Sequence, residues 1–156
     1  MSIENVRPFL AAFGRDKDIL EFPVSSATVE LAAQALNIDG ARIAKTLSFE
    51  DGESCLVVVA AGDTKIDNAK FKHTFGFKAH MLSFERCAEL TGHAVGGVCP
   101  FALPETVRIF LDESLKRFDT VFPAAGSSNS AVEVTCEQLE EYTKGIWVDV
   151  CKLREA

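Results

Sequence analysis

Apolar positions recur at helical spacing through Ile3, Val6, Leu10 and Phe13. With Ser2 as a cap and Gly14 as a stop, they predict an opening helix. Asp18 to Pro23 reads as a short strand, and Thr28 caps a second helix with Val29, Ala32, Ala33 and Leu36 on one face. Residues 42–49 and 55–61 read as two strands joined through Glu50-Asp51-Gly52-Glu53, because Asp-Gly is a strong turn signal. Cys55 to Ala61 is almost wholly apolar, the pattern of a strand buried on both faces. Asp67 to Phe75 predicts a helix and Lys78 to Leu82 a strand. Ser83 then caps a helix bearing Phe84, Cys87 and Ala88, which Gly92 ends.

Beyond a glycine-rich loop, the pattern predicts a strand over Val107–Leu111, a short helix over Asp112–Phe118 and a strand over Thr120–Phe122. A small-residue loop, Pro123 to Ser130, precedes a strand over Ala131–Val134. Thr135 and Gln138 have capping-box spacing for a helix reaching Gly145, and Ile146–Cys151 closes the chain as a strand. The expected fold is α/β of the α+β type. It is a single domain over residues 1–156, with a curved mixed sheet of roughly six to eight strands flanked by helices.

Composition narrows the class. With 47% hydrophobic and 25% charged residues, the chain has the make-up of a soluble globular protein. No apolar run approaches the roughly 20 residues of a membrane span, and the N-terminus lacks the pattern of a secretory signal. The expectation is a cytoplasmic protein with no membrane association. The five cysteines form no CxxC pair, and the three histidines show no paired ligand motif, so neither a metal nor another cofactor is expected. A net charge of −7 argues against non-specific coating of nucleic acid but leaves room for local contact with an RNA end. Residues 61–90 are slightly basic through Lys65, Lys70, Lys72, Lys78 and Arg86. They suit either docking of one phosphate strand or a solvated helix face.

Three places can carry chemistry. Lys45 falls on the bulky face of its strand with Ile43, Leu47 and Phe49, while Ala44, Thr46 and Ser48 face the other way. A lysine there is either a snorkelling stem or a cation at the mouth of a cavity. Gly92 to Phe101 contains Gly96-Gly97-Val98-Cys99-Pro100, which can present main-chain groups to a polar substrate head or simply form a tight turn. Gly126-Ser127-Ser128-Asn129 can bind an anion or be a plain Ser/Asn turn. Cys99 lacks a base guaranteed by pattern, so it reads as a bystander. His93 reads as a loop or surface histidine rather than a general base. No Gly-x-Ser-x-Gly elbow is present.

Ala44-Lys45-Thr46-Leu47, then Gly92 to Pro100, then Gly126-Ser127-Ser128 before Val132-Glu133-Val134 resemble, in order and spacing, the YbaK/EbsC family. This is the family of the prolyl-tRNA synthetase editing domain and its free-standing relatives. The resemblance implies hydrolysis of mischarged tRNA(Pro) carrying a small non-cognate amino acid. The acceptor end of that tRNA would be one partner, and prolyl-tRNA synthetase a possible second. It also implies that Lys45 holds the terminal adenosine or its phosphate and that the main chain of Gly96 and Gly97 orients the ester. Thr46, Val98, Pro100, Gly126, Ser127 and Ser128 would shape the substrate pocket. The continuation Phe101-Ala102-Leu103-Pro104-Glu105 replaces a glycine- and lysine-rich stretch of the family's cysteinyl-tRNA deacylases. It points to a branch acting on alanine or a similarly small residue. The alternative function is a non-catalytic module that binds an aminoacyl-tRNA 3′ end or a nucleotide.

Overall fold

The run from Ser54 to Ala61 organises the molecule. In the computed structural model, which describes residues 2–93 and 98–154, it is strand β3, after β1 (Leu20–Glu21) and β2 (Ile43–Asp51). Every residue from Cys55 to Ala61 has 0% exposure, so no polar side chain could replace one without losing its water. β2 and β3 form an antiparallel hairpin with Asp51 opposite Ser54. Gly52 takes φ 64° at the first of the two turn residues, the pattern of a type II′ hairpin turn.

Further strands are β4 (Thr64–Ile66), β5 (Arg108–Asp112), β6 (Phe122–Pro123), β7 (Ser130–Ala131), β8 (Ile146–Val148) and β9 (Cys151–Leu153). The main sheet has the order β6-β2-β3-β5-β8. The β2–β3 pair is antiparallel and the other pairs are parallel. Two-stranded antiparallel ribbons β1–β7 and β4–β9 form two further, separate sheets. The helices are α1 (Ser2–Ala11), α2 (Val29–Leu36), α3 (Asn68–Phe75), α4 (Phe84–Thr91) and α5 (Cys136–Thr143).

The period of two divides β3 between its two faces, with Cys55 and Val57 in a third cluster beside Leu82, Cys87 and Val107. Val59 and Ala61 pack with Val6 and Leu10 of α1, Leu111 of β5 and Leu139 of α5. Leu56, Val58 and Ala60 pack with Phe49, Phe110 and Phe71 of α3. The mixed α/β fold expected from the sequence is the fold observed, although its sheet is shorter in strands and more broken. Five strands form the main sheet rather than six to eight.

Several boundaries differ for identifiable reasons. The strand expected over 146–151 splits because the Val150 N–H donates to Asp112 Oδ1 at 2.9 Å instead of to a ladder partner. Asp112 Oδ2 also accepts from Ser114 N at 3.0 Å, which starts the short helix expected here as a 3₁₀ helix (Glu113–Arg117). Lys78–Leu82 is not a strand but a single bridge, Phe49 to Met81. The strands expected over 120–122 and 131–134 shrink to β6, β7 and one Val121–Val134 bridge, and that over 18–23 to β1 after a 3₁₀ turn (Asp16–Asp18). The capping box at Thr135 is formed, but α5 stops at Thr143 with Lys144 left-handed at φ 56°.

Candidate functional site

Strand β2 is complete on one edge and interrupted on the other. β3 covers one edge along the whole strand. On the opposite edge β6 pairs only with Ile43 and Ala44. The chain returns at residues 80–82, where Leu82 N donates to the Ser48 carbonyl at 3.3 Å and Glu50 N donates to the His80 carbonyl at 2.8 Å. Between these contacts, among the described residues, no strand lies beside Lys45–Leu47. The two-residue period of an antiparallel ladder turns the main-chain N–H and C=O of Thr46 the same way as those of Ser48 and Glu50, into this gap.

A cleft of about 320 Å³ opens at the gap. Its floor is β2 from Ile43 to Ser48. Its walls are Ser26 to Val29, Val98, Phe122, Ala124, Ser130 and Ala131, with Met81 and Phe84 at the rim. Met81 and Phe84 are 63% and 75% exposed, which is unusual for large apolar side chains.

Thr46 Oγ1 is buried and has no hydrogen-bond partner among the described residues. A buried hydroxyl without a partner costs about 1–3 kcal/mol, so this group is available to a ligand in the cleft. Lys45 lies on the opposite face with Leu47 and Phe49, as the alternation required. It reaches the same cleft because the strand edge is open. Its ammonium donates to the Thr64 carbonyl at the start of β4. Two further N–H donors remain on that ammonium. Burial lowers the Lys45 pKa first of all, and the nearby Arg154 cation lowers it further.

A second cleft of about 370 Å³ lies beyond Lys45, with Thr64, Lys65, Ile66, Asn68 and Arg154 among its walls. The two clefts share Lys45, Leu47 and Met81. Lys45 therefore stands on the divide between them.

The remaining residues singled out in the sequence fall as follows. Val98 lines the first cleft, and Pro100 is buried beside the core. Gly126, at φ 99°, starts the turn that places Ser130 and Ala131 in the cleft wall. Ser127 Oγ spends its hydrogen bonds within that turn, on Asn129 Oδ1 at 2.9 Å and Ser130 Oγ at 2.7 Å. The Ser128 carbonyl accepts from Ser26 N at 2.6 Å and so ties the turn to the Ser26–Val29 wall. Gly126, Ser127 and Ser128 thus support the wall without lining the cleft. Gly96 and Gly97 lie outside the described residues.

Cys99 and His93 are closer than the sequence suggested: Cys99 Sγ lies 3.6 Å from His93 Nε2. They still make no nucleophile pair. Full burial pushes the Cys99 thiol up to about 12, so no thiolate forms at neutral pH. His93 is a buried residue, not a surface one, with 1% exposure. Its Nε2 lies 2.9 Å from the Phe101 carbonyl, which assigns the proton to Nε2, and burial lowers its pKa. The imidazole is a neutral brace for the Phe101 end of the loop.

Sequence reasoning missed Ser26, Met81, Phe84 and Ser130. Only Met81 and Phe84, two large apolar residues flanking a helix cap, left a trace in the pattern.

The sequence model of the aminoacyl-tRNA editing domain matches residues 24–142, the span that contains both walls and the floor of the first cleft. The uncharacterized Bacillus subtilis protein YwhH is 52% identical over 154 residues, covering 97% of this chain and 98% of its own. The proline–tRNA ligase of Lactobacillus helveticus is 28% identical over 107 residues, which are 68% of this chain but 19% of the ligase. Among solved structures, a candidate trans-editing enzyme for prolyl tRNA synthetase superposes with a TM-score of 0.87 at 27% identity, covering 97% of both chains. The chain belongs to the aminoacyl-tRNA editing domain family, as the resemblance in its motifs implied.

Proposed function

We propose that this protein hydrolyses, in trans, the ester of mischarged tRNA(Pro) carrying a small non-cognate amino acid. Its family supports tRNA editing. The observation that carries the finer reading is the interrupted edge of β2, with a buried unpaired hydroxyl on Thr46 and a cation at its margin. An aminoacyl ester presents a carbonyl, an ammonium and, through its nucleotide, a phosphate. The cleft offers main-chain groups, a hydroxyl and Lys45 in complementary positions.

Lys45 would hold the terminal adenosine or its phosphate as a point charge while the Thr64 carbonyl steadies its ammonium. The main chain of Thr46, with that of Gly96 and Gly97, would fix the ester carbonyl and amino group. No acid–base pair lines the cleft among the described residues. The attacking group would therefore be a positioned water or the substrate's own ribose hydroxyl. An ester is already activated, so orientation and fixed dipoles would supply most of the acceleration. Ala27, Ala44, Ala124 and Ala131 bound the space available to the amino-acid side chain. Size exclusion of this kind discriminates by about 1–3 kcal/mol per methylene.

The test is ester loss from tRNA(Pro) charged with alanine, cysteine, serine or 2-aminobutyrate. Accelerated loss from at least one small amino acid, abolished by Lys45→Ala in a folded protein, is the expected result. Unchanged ester lifetimes across the panel would leave only a binding module. Wild-type rates in the Lys45→Ala variant would remove the lysine from the mechanism.

A further inference from the structure

Half of the sixteen lysines and arginines in this acidic protein are spoken for. Arg7, Arg15, Arg42, Arg86, Arg108 and Arg117 each pair with a carboxylate, as do Lys70 and Lys116. These pairings dissolve much of the basic stretch seen in the sequence, because Lys70 goes to Asp149 and Arg86 to Glu50. Arg154 is the one arginine without a carboxylate partner among the described residues. It does not stand alone. Its N–H donates to the Asp63 carbonyl at 2.9 Å, which continues the β4–β9 ribbon by one residue.

In that ribbon Lys65 lies directly opposite Lys152. Both are exposed, and neither forms a salt bridge among the described residues. Like charges directly opposite on a ribbon are destabilising. The two-residue period puts Arg154 on the same face as Lys152. The nearby carboxylates hydrogen-bond to other groups, although Asp67 also feels the charge of Lys152 and Asp63 that of Lys45. Asp63 is held by Arg117 at 2.6 Å, and Asp67 caps α3 through Ala69 N and Lys70 N, both at 3.1 Å. Lys65 and Arg154 line the second cleft, which meets the first at Lys45. The result is a run of four cations, Lys152, Lys65, Arg154 and Lys45, that ends at the first cleft.

From this geometry we infer that the β4–β9 ribbon and the second cleft are the track for the phosphate backbone of a single RNA strand whose 3′ end enters the first cleft. The inference rests on the proposed ester site for its direction and adds the residues that would hold the strand behind the terminal nucleotide. A strand with one charge per nucleotide matches a series of cations that form no salt bridge among the described residues. Its binding would release the repulsion between Lys65 and Lys152. Lys45 would be shared, with the terminal nucleotide on one side and the strand on the other.

The probe is a fluorescent, uncharged single-stranded RNA of about 12 nucleotides, bound to the full chain and followed by anisotropy from 50 to 300 mM salt. The Lys65→Gln/Lys152→Gln/Arg154→Gln variant is expected to bind on the order of 100-fold more weakly at 50 mM salt. The slope of log affinity against log salt should fall by about 2, from roughly 0.7 per lost phosphate contact. Its melting temperature should not fall. A Lys17→Gln/Lys144→Gln variant, which removes two cations elsewhere, should keep the wild-type slope. At pH 7, hydrolysis of an aminoacyl ester of plain adenosine, which has no phosphate chain, should be unchanged in the ribbon variant; only its alkaline limb should shift, because Arg154 no longer lowers the Lys45 pKa. That arm separates this inference from the proposed function: loss of ester hydrolysis with RNA binding intact would count against the ester site alone. Equal RNA affinity and slope in wild type and ribbon variant would overturn the track, as would an equal loss in the control variant. Polyglutamate bound as tightly as RNA and lost in parallel would overturn the assignment to nucleic acid.

Discussion

Strands β2 and β3 are neighbours of nearly equal length, paired residue for residue, yet they have opposite characters. β3 has a partner on each edge and no exposed side chain from Cys55 to Ala61. β2 has one complete edge and one broken edge, an unpaired hydroxyl at Thr46 and a half-buried lysine at position 45. β3 pairs with β2 along its whole length and with β5 from Leu56 to Val59, so this strand supplies rigidity. β2 leaves groups unanswered at one place, and there the fold offers something to a ligand. The difference teaches that the candidate site is a gap at one edge of the sheet, held in position by the fully buried strand beside it.

The strongest way to break this contrast is to damage the frame. Leu56→Ala in β3 removes a side chain with no exposure and should cost about 2–5 kcal/mol in urea unfolding. The fraction that stays folded should still deacylate at the wild-type rate. Lys45→Ala should do the reverse, ending deacylation with little change in the urea midpoint. The protonation of Lys45 sharpens the point. Burial holds its pKa below that of a free lysine and Arg154 lowers it further. The cation is present at low and neutral pH and is lost as pH rises through the lowered value. After subtraction of spontaneous ester hydrolysis, activity should therefore fall at a lower pH than the pKa of an ordinary lysine. Arg154→Gln should move that alkaline limb upward.

How much of this was legible in the sequence depended on how local the cause was. The hairpin, the Thr135 capping box and the apolar run of β3 follow from neighbouring residues and were read directly. The face of Lys45 was also readable, because alternation fixes it. The broken edge was not, since it depends on where β6 stops and where Met81 touches Phe49, both contacts of long range. The split before β9 was hidden for the same reason: Asp112 takes the Val150 N–H across 38 residues. Ser127 and Ser128 had the right composition for a binding loop, but their side chain and carbonyl are spent on the turn and on Ser26. His93 is buried because of the Phe101 carbonyl, which no spacing rule specifies.

A smaller effect separates electrostatics at the frame from electrostatics at the site. Hydrogen bonds from Arg117 hold the Asp63 carboxyl below the usual carboxylate range. Its stabilising contribution is present above the unfolded value of about 3.9 and is lost as pH falls through the lowered native value. Both side chains are more than a third exposed, so the pair should be worth only about 0.2–1 kcal/mol. Asp63→Asn should lower the urea midpoint slightly at pH 7 and not at all at pH 2, while leaving neutral-pH deacylation almost unchanged.

The most direct measurement is on Thr46→Val, read for stability and for ester loss from mischarged tRNA(Pro) in the same preparation. Valine keeps the shape of threonine and removes the hydroxyl that has no partner. If that hydroxyl is kept for the substrate, the variant should be as stable as wild type or up to about 1 kcal/mol more stable, and should deacylate roughly tenfold or more slowly. A variant that loses stability while deacylating at the wild-type rate would show that Thr46 serves the fold, and would contradict the reading of the broken β2 edge as the ester site.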